Sequence, residues 1–132
     1  MKLGNLSEYK REKFKMTTDQ GQLLKKLEKK LDAMFRDLNV DVEFSRHFKE
    51  RFVQRKISPD EIIETFKKLH NKHGKKIIKD DYTALIKDTF SYLNIPIKID
   101  WIDKDKEFEL KNITIFKDKS DIPHQTKEII KV

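Results

Sequence analysis

Three of the chain's five arginines fall in the stretch Arg46-His47-Phe48-Lys49-Glu50-Arg51-Phe52-Val53-Gln54-Arg55, whereas most of the chain's positive charge is carried by 25 lysines spread over nearly every segment. Arginine differs from lysine in its planar fork of donors, which matches phosphate and carboxylate bidentately. If the stretch is helical, His47, Arg51 and Arg55 recur at i, i+4, i+8 and share one face. Phe48 and Phe52 repeat on the neighbouring face and give the helix an apolar side with which to dock. A titratable imidazole beside two permanent cations is the equipment for a phosphodiester. Cleavage of RNA needs a base for the 2′-hydroxyl, an acid for the leaving 5′-oxygen, and cations to hold the phosphorane. The same pattern also fits a solvated helix face with ion pairs to Glu43 or Glu50.

Other candidates are weaker. His70 and His73 stand at i, i+3, the spacing of a metal pair, but Lys67, Lys68, Lys72, Lys75 and Lys76 surround them and would repel a divalent cation. A basic helix C-terminus favoured by the helix dipole, or a phosphate-binding patch, fits better. His124 follows Pro123 with no spacing partner and reads as solvated. Trp101 reads as core rather than as a base-stacking platform, and Tyr82 and Tyr92 are open in the same way. Asp80, Asp81, Asp88, Asp100, Asp103 and Asp105 lie mostly where turns want aspartate. There is no glycine-rich phosphate loop, no Ser-His-Asp set and no zinc signature. No metal or other cofactor is expected.

These residues need elements to hold them. Residues 1–16 are polar and lysine-rich and read as a flexible basic arm. Thr17-Thr18-Asp19 offers N-caps, and apolar residues at 24, 27, 31, 34, 35 and 38 predict an amphipathic helix over about 18–38. Val40-Asp41-Val42-Glu43-Phe44 alternates as a strand does, and Ser45 can cap a helix over about 46–55. Ser58-Pro59-Asp60-Glu61 has the pattern of a capping box with proline at N1, which starts a helix whose apolar face is Ile62, Ile63, Phe66 and Leu69 and which Gly74 ends. From residue 76 strand character takes over: Ile77-Ile78, Tyr82–Ile86, Ile95–Ile102, and Phe108–Phe116, the last two forming a hairpin around Asp103-Lys104-Asp105-Lys106. Residues 119–132 read as a polar tail.

The expectation is a single α+β domain over 17–118, with helices packed on a small antiparallel sheet. The chain has 132 residues, 36% hydrophobic and 40% charged, with a formal charge of +7, a balance that favours polyanions. The absence of cysteine excludes disulfides and thiolate metal sites and fits a cytoplasmic protein, and no apolar run approaches a membrane span of ~20 residues.

The run from Val42 to Glu61 resembles the core of the RegB endoribonucleases of T4-type phages, which belong to the RelE-like toxin superfamily. The match covers about residues 40–70. It implies helices on a small antiparallel sheet and cleavage of messenger RNA without a metal. The family's first catalytic histidine falls on His47, and Arg51 and Arg55 match its arginines. Its second functional histidine falls on Lys67, with His70 nearly one turn later, so the resemblance assigns the second catalytic role to Lys67 or His70. The pieces His73–Ile77, Leu93–Ile97 and Ile113–Lys117 are similar to small uncharacterised tailed-phage proteins, implying a phage-encoded protein in the cytoplasm of an infected host. The expected partner is RNA, with DNA or a host protein open. The alternative is a non-catalytic binding protein on the same scaffold; a virion component is a third. Heptad-like Leu24, Leu27, Leu31, Phe35 and Leu38 leave a monomer or a weak dimer open.

Overall fold

A computed structural model describes residues 16–119 and 128–132. The first helix, α1 (Thr18–Met34), starts at a capping box: Thr17 Oγ1 accepts the Gln20 N–H while Gln20 Oε1 accepts the Thr17 N–H. Its stripe of Leu24, Leu27 and Leu31, continued by Phe35, is buried against the sheet and the third helix. The α-helix stops at Met34 rather than at 38, and a 3₁₀ turn (Arg36–Leu38) carries the chain on. Asn39 then reverses it from a left-handed φ of 58°, tied down by its side-chain N–H to the Lys106 carbonyl. Met16, assigned from sequence to the basic arm, packs half-buried against the core; residues 1–15 lie outside the described set.

Strand β1 (Val40–Phe44) runs back along α1, and Ser45 caps α2 (Arg46–Gln54) by accepting the Phe48 N–H. The same hydroxyl donates to the Ile113 carbonyl at 2.6 Å, so one serine sets both the helix start and its seat on the sheet. Helix α3 (Pro59–His73) begins with Ser58 accepting the Asp60 N–H and ends before Gly74. The reciprocal half of the expected box is absent, because Glu61 turns outward to Lys117 at 2.8 Å. The strand expected at Ile77-Ile78 is a 3₁₀ turn (Gly74–Ile77). The Ile78 N–H returns to the Lys75 carbonyl, and burying Ile77 alone satisfies the apolar pair without a ladder.

Five more strands follow: β2 (Tyr82–Lys87), β3 (Leu93–Ile102), β4 (Glu107–Asn112), β5 (Phe116–Lys117) and β6 (Glu128–Lys131). The sheet order is β1-β4-β3-β2-β6, with β5 beside the start of β3. The expected β3–β4 hairpin forms, but the sheet is mixed rather than antiparallel: β1 is parallel to β4 and β6 is parallel to β2. Alternation along a strand sets which residues face the core, not the direction of a neighbour far away in sequence. The segment read as one strand over 108–116 breaks after Asn112, where Ile113 N–H goes to the Pro96 carbonyl. Residues 128–131, read as part of a tail, form β6 within the sheet; the intervening residues 120–127, which include Pro123 and His124, lie outside the described set.

One face of the sheet is apolar. Val40, Val42 and Phe44, then Ala84 and Ile86, Ile95, Ile97 and Ile99, and Leu110 are all buried, and α1 and α3 cover them. Phe35, which caps the end of α1, meets the Phe66 ring of α3 edge-on at 5.9 Å, which holds the two helices side by side. The outer edge of β1 is also closed. The Val42 and Phe44 N–H groups donate to Asp32 and Glu28 of α1 at 3.1 and 2.8 Å, so two carboxylates one turn apart occupy the edge a further strand would use.

Candidate nucleic-acid interface

Helix α2 is short, and its orientation is set by two rings. Phe48 and Phe52 are buried, with Phe48 stacked on Phe44 at 4.4 Å, so the neighbouring face carrying His47, Arg51 and Arg55 turns toward solvent. His47 is exposed and makes no hydrogen bond or ion pair among the described residues. Arg51, half-buried, donates to Gln54 Oε1, and Arg55 donates to the Ile115 carbonyl. That bond uses one of five guanidinium N–H groups, so Arg55 is fixed in place and still has donors for a phosphate. Arg46 leaves this face and pairs with Glu50 at 3.2 Å.

The two candidates for the second catalytic role lie elsewhere. His70 Nε2 donates to the Asp37 carboxylate, 2.9 Å away, and its ring stands edge-on to Phe35 at 5.2 Å. Asp37 precedes β1 and α2 follows it, so the five residues of β1, ~13 Å at strand rise, separate His70 from the start of α2. Lys67 is exposed and pairs with Glu64 along the outer side of α3 at 3.5 Å. The structure therefore gathers His47, Arg51 and Arg55 on α2 and does not bring Lys67 or His70 to them through any described contact. His70 and His73 also diverge from each other, since His73 Nε2 meets the Lys131 carbonyl at 3.0 Å.

The neighbour that does reach toward the α2 end of the sheet is Lys68, which the sequence did not single out. Its ammonium lies 2.8 Å from Asp88, a buried carboxylate just past β2. Thr65 donates to the other oxygen of Asp88 at 2.7 Å, and the Phe90 and Ser91 N–H groups donate to the first. Burial alone would raise the Asp88 pKa, but the Lys68, Thr65, Ser91 and Phe90 donors outweigh it and hold the carboxyl at about 2. The sequence offered Asp88 only as a turn aspartate; its lysine partner is 20 residues away.

The remaining candidates sort by contact. Trp101, expected in the core, is 37% exposed and rests edge-on against Phe108 at 5.0 Å. Asp80 accepts the Trp101 N–H, Asp81 and Asp100 flank Lys98, and Asp103 pairs with Lys106, so these carboxylates serve turns and ladders. His73, Lys76, Lys79, Tyr82 and Glu128 line a cavity of about 670 Å³ beside β6. Desolvation and the Glu128 carboxylate raise the Tyr82 pKa, so its hydroxyl stays a donor there. Acidic residues cluster instead on the sheet face away from the helices. Asp41, Glu43 and Glu109 bring one oxygen each within 4.8 Å of the others. Desolvation, a hydrogen bond with Asp32 and the charge of Glu43 raise the Asp41 pKa to about 7. That cluster exists only because β1 pairs parallel with β4, which no local pattern announces.

Among the described residues, no helix is long and apolar enough to cross a membrane. Comparison of the chain with protein-family models, with curated proteins and with solved structures finds no match.

Proposed function

We propose that the protein acts on RNA through the α2 end of the sheet, as a metal-independent endoribonuclease of the RegB-like kind that the run from Val42 to Glu61 resembles. The observation that carries this reading is the state of His47: an exposed imidazole on the same face as Arg51 and Arg55, with no described partner to occupy its ring nitrogens. In the reaction, His47 takes the proton of a 2′-hydroxyl, the 2′-oxygen attacks phosphorus, and the 5′-oxygen leaves with a proton from solvent or from the imidazolium. The product is a 2′,3′-cyclic phosphate and a 5′-hydroxyl end. Arg51 and the tethered Arg55 supply fixed positive charge to the phosphorane oxygens.

A second reading, binding of RNA or DNA without cleavage, draws support from the Asp37–His70 pair. With that histidine engaged before the start of β1, no contact among the described residues brings a second proton carrier to His47. One experiment separates the two. Wild type and His47→Ala are incubated with single-stranded RNA in EDTA, and products are resolved by end chemistry. Cyclic-phosphate ends from wild type and none from His47→Ala support the endoribonuclease. Binding that weakens steeply with salt, with intact RNA in both, supports the binding protein. Equal cleavage by both proteins removes His47 from the chemistry.

A further inference from the structure

The β2–β3 turn is built more firmly than a connection needs. All five N–H groups from Asp88 to Tyr92 are bonded: Asp88 to the Leu93 carbonyl, Thr89 to the Val132 carbonyl, Phe90 and Ser91 to the Asp88 carboxylate, and Tyr92 to the Asp88 carbonyl. This scaffold accepts two costs. Tyr92 sits in the left-handed region at φ 64°, where a bulky side chain is rare. Phe90, at the tip, is 86% exposed, the most exposed large hydrophobic residue among those described. A connection selected for folding alone would favour glycine or asparagine at both places. Strain and an exposed ring on a preorganised backbone mark a site rather than a linker.

The surroundings say what such a ring meets. The Lys68 ammonium, pinned by Asp88, stands 5.9 Å from the centre of the Phe90 ring, and Lys119 stands 5.4 Å from that of Tyr92. The segment from Ile115 to Asp118 links the turn to the α2 face. Arg55 holds the Ile115 carbonyl, β5 pairs with the start of β3, and the Asp118 N–H donates to the Tyr92 carbonyl. From Ile115 to Asp118 the extended chain covers ~10 Å, the length of about three stacked nucleotides. Aromatic faces with cations beside them, a few nucleotides from an arginine face, match single-stranded nucleic acid better than an apolar protein partner, which would disfavour the lysines at its centre.

We propose that the β2–β3 turn is a base-stacking platform on which Phe90, with Tyr92 beside it, holds bases of a single strand whose phosphates run over Arg51 and Arg55; this rests on the RNA reading of the α2 face. The test uses the full chain and fluorescein-labelled oligoadenylate with 2′-O-methyl riboses, which cannot be cleaved by 2′-oxygen attack, and an abasic oligomer of the same length, read by anisotropy. Phe90→Ala should bind the oligoadenylate about tenfold more weakly, bind the abasic oligomer as wild type does, and keep the wild-type salt slope. Phe90→Trp should restore affinity, with its fluorescence quenched on binding. Loss of equal size on both oligomers, or no loss on either, overturns the platform. If Arg51→Ala weakens binding and Phe90→Ala does not, the platform fails while the α2 reading stands. If wild type binds neither oligomer, both fail.

Discussion

Replacing Asp88 by asparagine isolates one charge in a nearly closed setting. The side chain is 2% exposed and meets Lys68 Nζ at 2.8 Å. An amide of the same shape keeps the acceptor that faces the Phe90 and Ser91 N–H groups. Its NH₂ can donate to Thr65 Oγ1, whose own proton then goes to the Glu61 carbonyl at 2.8 Å. Only the negative charge is lost. A carboxyl brought from 3.8 to about 2 by folding carries ~2–3 kcal/mol at neutral pH. The depressed pKa sets the sign: the stabilisation is present above the unfolded value and is lost as pH falls through the folded one. Urea unfolding of wild type and Asp88→Asn should therefore differ by ~2 kcal/mol at pH 7, a midpoint drop of roughly 1 M with unchanged slope. The gap should persist to about pH 4 and shrink to roughly half near pH 3. A gap below ~0.5 kcal/mol at pH 7, or one that ignores pH, would refute the claim that the Lys68–Asp88 pair holds the turn.

Two further outcomes follow from the packing. Asp41, raised to about 7 by desolvation and by Asp32 and Glu43, binds a proton in the folded chain that the unfolded chain releases near pH 4. It therefore draws stability down as pH rises from 4 to 7, and Asp41→Asn should flatten that fall, leaving the variant ~1 kcal/mol more stable at pH 8 after allowance for partial solvation. Thermal unfolding of both proteins at pH 5 and 8 checks it, and parallel pH profiles would sink it. Phe35→Ala opens a cavity where α1 meets Phe66 and His70, and Phe35 is fully buried. A loss of about 3–5 kcal/mol in urea unfolding is expected, and one under ~1.5 would mean that the core closes over the gap.

What the residues announced locally came out close to expectation. Thr17, Ser45 and Ser58 cap the three helices, the stripe Leu24-Leu27-Leu31 is buried, and Val40–Phe44 is a strand buried at every second residue. The errors fall where the signal was two residues long or depended on a distant partner. Ile77-Ile78 has no period to read, so nothing local separates a strand from a buried turn. Trp101 sits in a strand of the right alternation, yet it is near the end of β3, where the helices no longer cover the sheet, so it remains 37% exposed.

The candidate site divides in the same way. Helical spacing by itself put His47, Arg51 and Arg55 on one face and Phe48 and Phe52 on another, because 3.6 residues per turn is a property of the local backbone. Tertiary structure alone decided where that face lies and what stands around it. The packing of α3 on the turn after α1 set His70 beside Asp37, before β1, while α2 follows β1 at its other end. The β2–β3 and β3–β5 pairings brought Asp88, Phe90 and Lys117 to the α2 end of the sheet, where Ser45 meets Ile113 across 68 residues of sequence. Strand direction and order are long-range choices, settled by which arrangement buries Ile95, Ile97 and Ile99 under α1 and α3, and no window of neighbouring residues contains that comparison.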